Sequence, residues 1–310
     1  MSPFRQPLLL LSRSGTAKTL LTKLPLAGDI VARFVPGETL EEAVAAAREL
    51  ADAGIHTTID HLGEDTTDAA QANRIVAEYV ALLEALAAEG LASWAEVSVK
   101  LTAIGLDLPG GRAVALENAR RICRAAHNAG TTVTLDMEDH TTTDDILAAL
   151  RDLQQDFPET GVAVQAYLHR TETDCRSLAR GSSRVRLCKG AYDEPEEVAH
   201  AAPVDVDRAF VRCLKTLLDG EGYPMIATHD PRLVEIASAL VSRYGRAAGT
   251  YEFQMLYGCR PEEQQRLAAT GERVRVYLPY GSDWYGYLVR RLAERPRNLS
   301  FFLTALVSKK

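Results

Sequence analysis

The chain lacks any run long and apolar enough to cross a membrane: nothing in its 310 residues approaches the ~18 consecutive apolar residues a spanning helix needs. The leucine run near the start, Leu8–Leu11, is too short for a signal-peptide core, and no small-residue cleavage site follows it. The reading is a protein that does not span a membrane, with at most peripheral contact. Cysteine is sparse and scattered. Cys123, Cys175, Cys188, Cys213 and Cys259 are odd in number and include no CxxC pair, which argues against a disulfide framework and for a reducing, cytoplasmic compartment. A basic excess is missing too. Lys and Arg number 35 against 42 Asp and Glu, a formal charge of −7, so nucleic acid is a poor partner.

Several chemistry-bearing motifs are also absent. There is no GxxxxGK[ST] phosphate loop, no HExxH zinc helix and no GxSxG nucleophile elbow. Gly220-Glu221-Gly222 is the nearest approach to a dinucleotide fingerprint. It lacks the third glycine and precedes its strand instead of following it. Any cofactor must be held in another way.

What the chain has is a repeating alternation. With 46% hydrophobic residues it can bury a sizeable core. Short, often β-branched runs bounded by turn residues read as strands: Ile55–Ile59, Glu96–Leu101, Thr131–Met137, Val162–Leu168, Val185–Lys189, Pro224–Thr228, Thr250–Met255 and Val274–Leu278. Runs such as Val133-Thr134-Leu135 suit parallel strands covered on both faces. Between them, Asp68–Ala88 and Ala113–Ala129 carry apolar residues at helical spacing. Thr141–Asp145 supplies a capping start before Ile146–Leu150, and Asp230-Pro231 opens another helix. A βα unit of about 30 residues, repeated, predicts an α/β fold with a closed (β/α)8 barrel; a doubly wound open sheet is the alternative. Residues 1–53 are expected to form a helical segment that packs on the barrel, and 54–310 the barrel itself.

In such a barrel, functional residues gather at the C-terminal ends of the strands. Here those ends are rich in polar groups: Ser98-Val99-Lys100-Leu101, Leu135-Asp136-Met137-Glu138, Gln165-Ala166-Tyr167-Leu168, Arg186-Leu187-Cys188-Lys189-Gly190-Ala191-Tyr192, Ala227-Thr228-His229-Asp230, Glu252 to Gly258, and Tyr277 to Gly281. A lone lysine or aspartate at a strand end is usually a cap or an ion pair. A polar residue near almost every end suggests a lined pocket, because buried polar groups must find partners. After the last strand, Tyr287, Arg290, Arg291 and Glu294 share one face of a helix. Two adjacent guanidinium groups suit a bidentate grip on a carboxylate or phosphate; a solvated pair with Glu294 as ion partner is the plain alternative.

Taken in order, Ser98–Leu101, Arg186–Tyr192, Glu252–Gly258 and Tyr287–Arg291 resemble the proline dehydrogenases, and Arg33–Thr39 resembles a stretch near the start of the bacterial single-function members. The resemblance runs from about residue 30 to Phe301. It implies a distorted (β/α)8 barrel that binds FAD, oxidises L-proline to 1-pyrroline-5-carboxylate and passes electrons to a quinone-type acceptor. It also implies roles for individual residues. Arg290, Arg291 and Lys100 would hold the substrate carboxylate, while Tyr192, Leu256, Tyr277 and Tyr287 would wall the ring. Asp136 and Arg186 are the implied catalytic pair, Asp136 orienting the basic cluster and Arg186 near the reactive flavin nitrogen. Met137, Gln165, Arg186, Lys189, Gly190, Ala191, Thr228, His229 and Glu294 match cofactor contacts. No metal is implied. No aldehyde dehydrogenase domain is expected after Lys310, so a separate pyrroline-5-carboxylate dehydrogenase is the implied partner.

The chain departs from the family's pattern at Cys188, where an aliphatic residue is usual, and at Asp193, where the larger bifunctional members carry an aromatic residue. Three other functions compete: an aldolase-type barrel with a Schiff base on Lys100 or Lys189, a metal-dependent hydrolase using His56, His61, Asp136 and His229, and an amino-acid-binding module that uses only the arginine grip.

Overall fold

The computed structural model describes residues 27–63 and 66–294, with side chains from 31 to 289. Two helices come first, α1 (Ala27–Phe34) and α2 (Leu40–Asp52). Eight βα units follow: β1 (His56–His61) and α3 (Ala69–Ala88), β2 (Ala95–Val99) and α4 (Gly111–Ala129), β3 (Val133–Leu135) and α5 (Thr143–Leu153), β4 (Gly161–Gln165) and α6 (Thr171–Leu178). The second half continues with β5 (Arg184–Cys188) and α7 (Pro203–Asp219), β6 (Tyr223–Ala227) and α8 (Pro231–Arg243), β7 (Glu252–Leu256) and α9 (Pro261–Ala269), β8 (Val274–Tyr280) and α10 (Trp284–Glu294). The strands close in sequence order, β8 pairing with β1, and every pair is parallel. The closed barrel stands; the open-sheet alternative does not.

Local chemistry explains the helix starts. Thr39 and Glu42 form a reciprocal capping box at α2, Asp68 accepts from the Gln71 amide at 2.8 Å, and Asp230 accepts from the Arg232 amide ahead of Pro231. The predicted cap at α5 differs. Thr142 makes no side-chain cap; instead the Asp139 carboxylate accepts from the Thr141 amide and hydroxyl, and the Thr142 hydroxyl donates to the Asp139 carbonyl.

Alternation along the strands divides the interior in two. Outward-facing residues such as Ile59, Val97, Val133, Val162, Leu187, Ile226, Phe253 and Val276 build the apolar core shared with the surrounding helices. α2 takes the place between β8 and β1, packing on both. This displaces α10, the helix after β8, which packs chiefly with α1. Trp284, Tyr285, Tyr287, Leu288 and Val289 join Phe34, Val35 and Leu62 in a separate cluster, with Leu256 and Tyr277 against it. The stretch Arg33–Thr39 fastens this arrangement: Glu38 accepts from the Trp284 indole at 2.8 Å, and a side chain at Gly258 would strike the Arg33 carbonyl. α10 is thereby held over the C-terminal ends of the strands.

Candidate active site

The inward faces of the strands are charged. At the barrel floor, Arg184 Nη2 lies 2.6 Å from Glu96 Oε2 and Arg275 Nε lies 2.7 Å from Glu252 Oε1, all four side chains buried. Burial works against the Glu96 carboxylate, yet the guanidinium groups of Arg184, Arg275 and Arg186 hold it down at about 2. One layer up, Arg186 spans the barrel. Its Nη1 donates to Asp136 Oδ1 at 2.6 Å and to Ser98 Oγ at 2.8 Å, its Nε to Gln254 Oε1 at 2.7 Å, and its Nη2 to Thr58 Oγ1 at 3.2 Å. A planar fork with five N–H groups is the side chain that can serve so many acceptors at once.

The third layer borders the cavity. Lys100 Nζ stands 2.6 Å from Asp60 Oδ2 and 4.0 Å from Asp136 Oδ2. The Tyr277 hydroxyl donates to that same Asp136 oxygen at 2.7 Å, and the Arg186 guanidinium lies 5.3 Å from the Tyr277 ring centroid. Burial pushes the Tyr277 phenol well above its usual range, with Asp136 adding to it, so the hydroxyl stays a donor. Burial likewise pushes the Asp60 carboxyl up, opposed by Lys100. Across these layers four acids (Asp60, Glu96, Asp136, Glu252) face four bases (Lys100, Arg184, Arg186, Arg275). The set is balanced before any ligand arrives.

Above it opens a cavity of about 1180 Å³. Of the predicted site residues, Lys100, Asp136, Met137, Gln165 and Arg186 line its inner part, and Lys189, Gly190, Ala191 and Tyr192 line the loop after β5. Thr228 and His229 border it after β6, and Leu256, Tyr277 and Tyr287 form its apolar side. The side chains of Arg290, Arg291 and Glu294 lie outside the described residues; their backbone continues α10 beyond Tyr287. The outer part has its own polar frame. Lys189 Nζ pairs with Asp207 at 2.5 Å and Asp230 at 3.1 Å, while His229 Nε2 accepts from the Leu256 amide at 2.8 Å. Gly190, at φ +109°, lets the chain turn where a Cβ would stand 2.2 Å from the Tyr167 ring.

Sequence reasoning assigned no role to three groups. Asp60 is the last residue but one of β1, a strand whose C-terminal end was not counted among the pocket-lining ones. Glu138 is buried beside the cavity; burial pushes its carboxyl up to about 7 against hydrogen bonds from Thr102. The floor charges were missed because an isolated charge in a strand reads as solvent-facing, whereas a closed barrel has a second, enclosed face. The rule that exposed Lys100 and Asp136 would have found Asp60. Of the competing readings, the histidine set does not gather: His56 stacks on Trp94 at the start of β1, with ring centroids 4.7 Å apart, while His229 sits past the opposite end of β6. Among the described residues no group of three or more His, Cys, Asp or Glu is arranged to hold a metal ion. Both candidate Schiff-base lysines are ion-paired.

With this geometry in place, likeness to other proteins decides the family. The proline dehydrogenase family pattern matches residues 43–303. The chain belongs to the proline dehydrogenase family. It is 40% identical over 277 residues to proline dehydrogenase 1 of Bacillus subtilis, covering 89% of this chain and 90% of that one. To the proline dehydrogenase of Deinococcus radiodurans it is 39% identical over 282 residues, covering 90% of each. A solved structure of proline utilization A from Bdellovibrio bacteriovorus, inactivated by N-propargylglycine, superposes with a TM-score of 0.83 at 25% identity. It covers 99% of this chain, which spans only 38% of that longer one. As a proline dehydrogenase family member the chain is an oxidoreductase built on a (β/α)8 barrel, and no described helix is long and apolar enough to cross a membrane.

Proposed function

We propose that this protein oxidises L-proline to 1-pyrroline-5-carboxylate with FAD as cofactor and a quinone-type acceptor. The observation that carries the reading is the two-part cavity: a charged inner layer facing an apolar wall, continued by a long outer arm. Its volume of about 1180 Å³ exceeds the ~300–1,000 Å³ of ordinary small-ligand pockets. A proline ring would fill a small fraction, leaving room for a dinucleotide.

The donor set suits both ligands. Proline offers one carboxylate and a small apolar ring. Lys100, Arg290 and Arg291 supply cations for the first, and Leu256, Tyr277, Tyr287 and Tyr192 supply walls for the second. Gln165, Arg186, Lys189, the backbone at Met137, Gly190 and Ala191, Thr228, His229 and Glu294 would hold FAD. Bound FAD would supply the hydride acceptor. The protein's part is placement and electrostatics. Asp136, Ser98, Gln254 and Thr58 fix the Arg186 guanidinium so that its charge is preorganised and costs no rearrangement during the reaction. Asp136 also anchors Tyr277, so one carboxylate sets both the cation and the aromatic wall. α10 closes the mouth and keeps water from the ring.

In the proposed organisation the segment 1–53 packs on the barrel of 54–310 through α1 and α2, the parts of both ranges at 1–26 and 295–310 lying outside the described residues; contact with the membrane is at most peripheral from the cytoplasm, and a separate pyrroline-5-carboxylate dehydrogenase consumes the product. Denaturing the purified protein with acid and chromatographing the supernatant tests the cofactor. FAD released in near-equimolar amount supports the reading. A flavin-free protein that reduces no dye with proline and added FAD contradicts it. Reduction of a short-chain quinone tests the acceptor.

A further inference from the structure

We infer that Asp60 is a positioning residue that holds the Lys100 ammonium off Asp136 and presents it to a substrate carboxylate. The inference rests on the proline-oxidising reading.

Asp60 lies one residue before the end of β1 and is 1% exposed, so it cannot itself meet a ligand. Its Oδ2 lies 2.6 Å from Lys100 Nζ, and its Oδ1 lies 3.3 Å from the Tyr79 hydroxyl. That hydroxyl also donates to the Ser98 carbonyl at 2.7 Å, tying Asp60 to the strand that carries Lys100. Among the described residues, a second carboxylate oxygen near Nζ is Asp136 Oδ2, at 4.0 Å. That oxygen already accepts from Tyr277 at 2.7 Å. Without Asp60, the ammonium would move onto Asp136 and compete with the bond that orients the aromatic wall. A buried cation seeks the nearest carboxylate, so the geometry gives Asp60 the task of outcompeting Asp136. The dependence is reciprocal: burial raises the Asp60 carboxyl, and Lys100 is the foremost group that opposes it, with a hydrogen bond from Tyr277 beside it.

Because Asp60 acts through Lys100, its effect should vanish when Lys100 is gone. The test is a double-mutant cycle on the holoenzyme with Asp60→Ala, Lys100→Met and the pair. Proline-dependent dye reduction gives kcat and KM, and calorimetry with cyclopentanecarboxylate gives binding without turnover. Asp60→Ala should lower kcat/KM by about 10- to 100-fold, mostly through KM, as expected for losing one well-placed hydrogen bond to a charged group. Flavin content should hold, since Asp60 does not border the cavity. The pair should fall within about twofold of Lys100→Met in both readouts. Losses that multiply overturn the inference. If Asp60→Ala fails to fold, Asp60→Asn/Lys100→Met against Lys100→Met closes the same comparison, because an amide replaces the carboxylate with little change of shape. An active wild type with multiplying losses sinks this inference alone; an inactive wild type sinks the proline reading and the inference with it.

Discussion

Arg186 and Asp136 meet inside the barrel, Nη1 2.6 Å from Oδ1, although one lies on β5 and the other just beyond β3. The pair joins the buried scaffold to the cavity wall, and its loss should register first as stability. Removing one member of a buried ion pair strands the other, at a cost of about 3–5 kcal/mol. Arg186→Met should therefore lower the unfolding free energy by that order in a denaturant titration. Arg186→Lys should not restore it, because one ammonium cannot reach the four acceptors that the guanidinium spans. A loss under about 1 kcal/mol would mean that the pair behaves like a surface contact.

Two glycines with positive φ should respond differently to alanine. Gly190→Ala places a Cβ 2.2 Å from the Tyr167 ring at φ +109°, beside the outer arm of the cavity. Gly130→Ala, at φ +81°, meets nothing within 4 Å and should cost only the ~1–2 kcal/mol of a left-handed backbone. The flavin-to-protein absorbance ratio should drop for Gly190→Ala and stay level for Gly130→Ala. Equal ratios in both would detach Gly190 from the cofactor.

The two strand-end lysines should fail in separate ways. Lys100→Met should keep its flavin and raise the KM for proline. Lys189, paired with Asp207 and Asp230 at the outer arm, should on substitution by Met lose flavin occupancy and regain part of its activity in excess FAD. The opposite pattern would show the sides to be exchanged.

Glu138 makes a pH signature. Its ordinary value of 4.5 is raised to about 7 by burial, so the folded state holds a proton that the unfolded chain releases first. The stabilising contribution is complete below pH 4.5 and is lost as pH rises through 7. Its size is on the order of 3 kcal/mol. His56, lowered to about 4 by burial and by Arg275 and Arg273, acts in the opposite sense, losing stability as pH falls below 6.5. Glu138→Gln removes the first contribution alone. Relative to wild type, its melting temperature should rise between pH 5 and pH 7. A constant difference would show that Glu138 does not titrate in this window.

The sequence carried the strands, their order and most of the cavity lining, because β-branched runs and strand-end polar residues are local signals. Boundaries were less legible. The run Thr131–Met137 reads as one strand, but β3 covers only Val133–Leu135, extended by the Asp136 amide donating to the Val99 carbonyl at 2.9 Å. The enclosed charge layers were hidden, as Glu96 and Arg184 meet across 88 residues and no local pattern links them. Asp60 was missed by one residue, the strand having been ended at Ile59. The placement of α2 between β8 and β1, which shifts α10 over the mouth, depends on packing that periodicity does not encode.

The central claim, that this cavity passes electrons from proline to a bound flavin, is tested most directly by one anaerobic absorbance titration. The purified protein should be yellow, and adding L-proline without an external acceptor should bleach the flavin band near-stoichiometrically, with 1-pyrroline-5-carboxylate appearing in equal amount. A flavin spectrum that proline leaves unchanged would contradict the account.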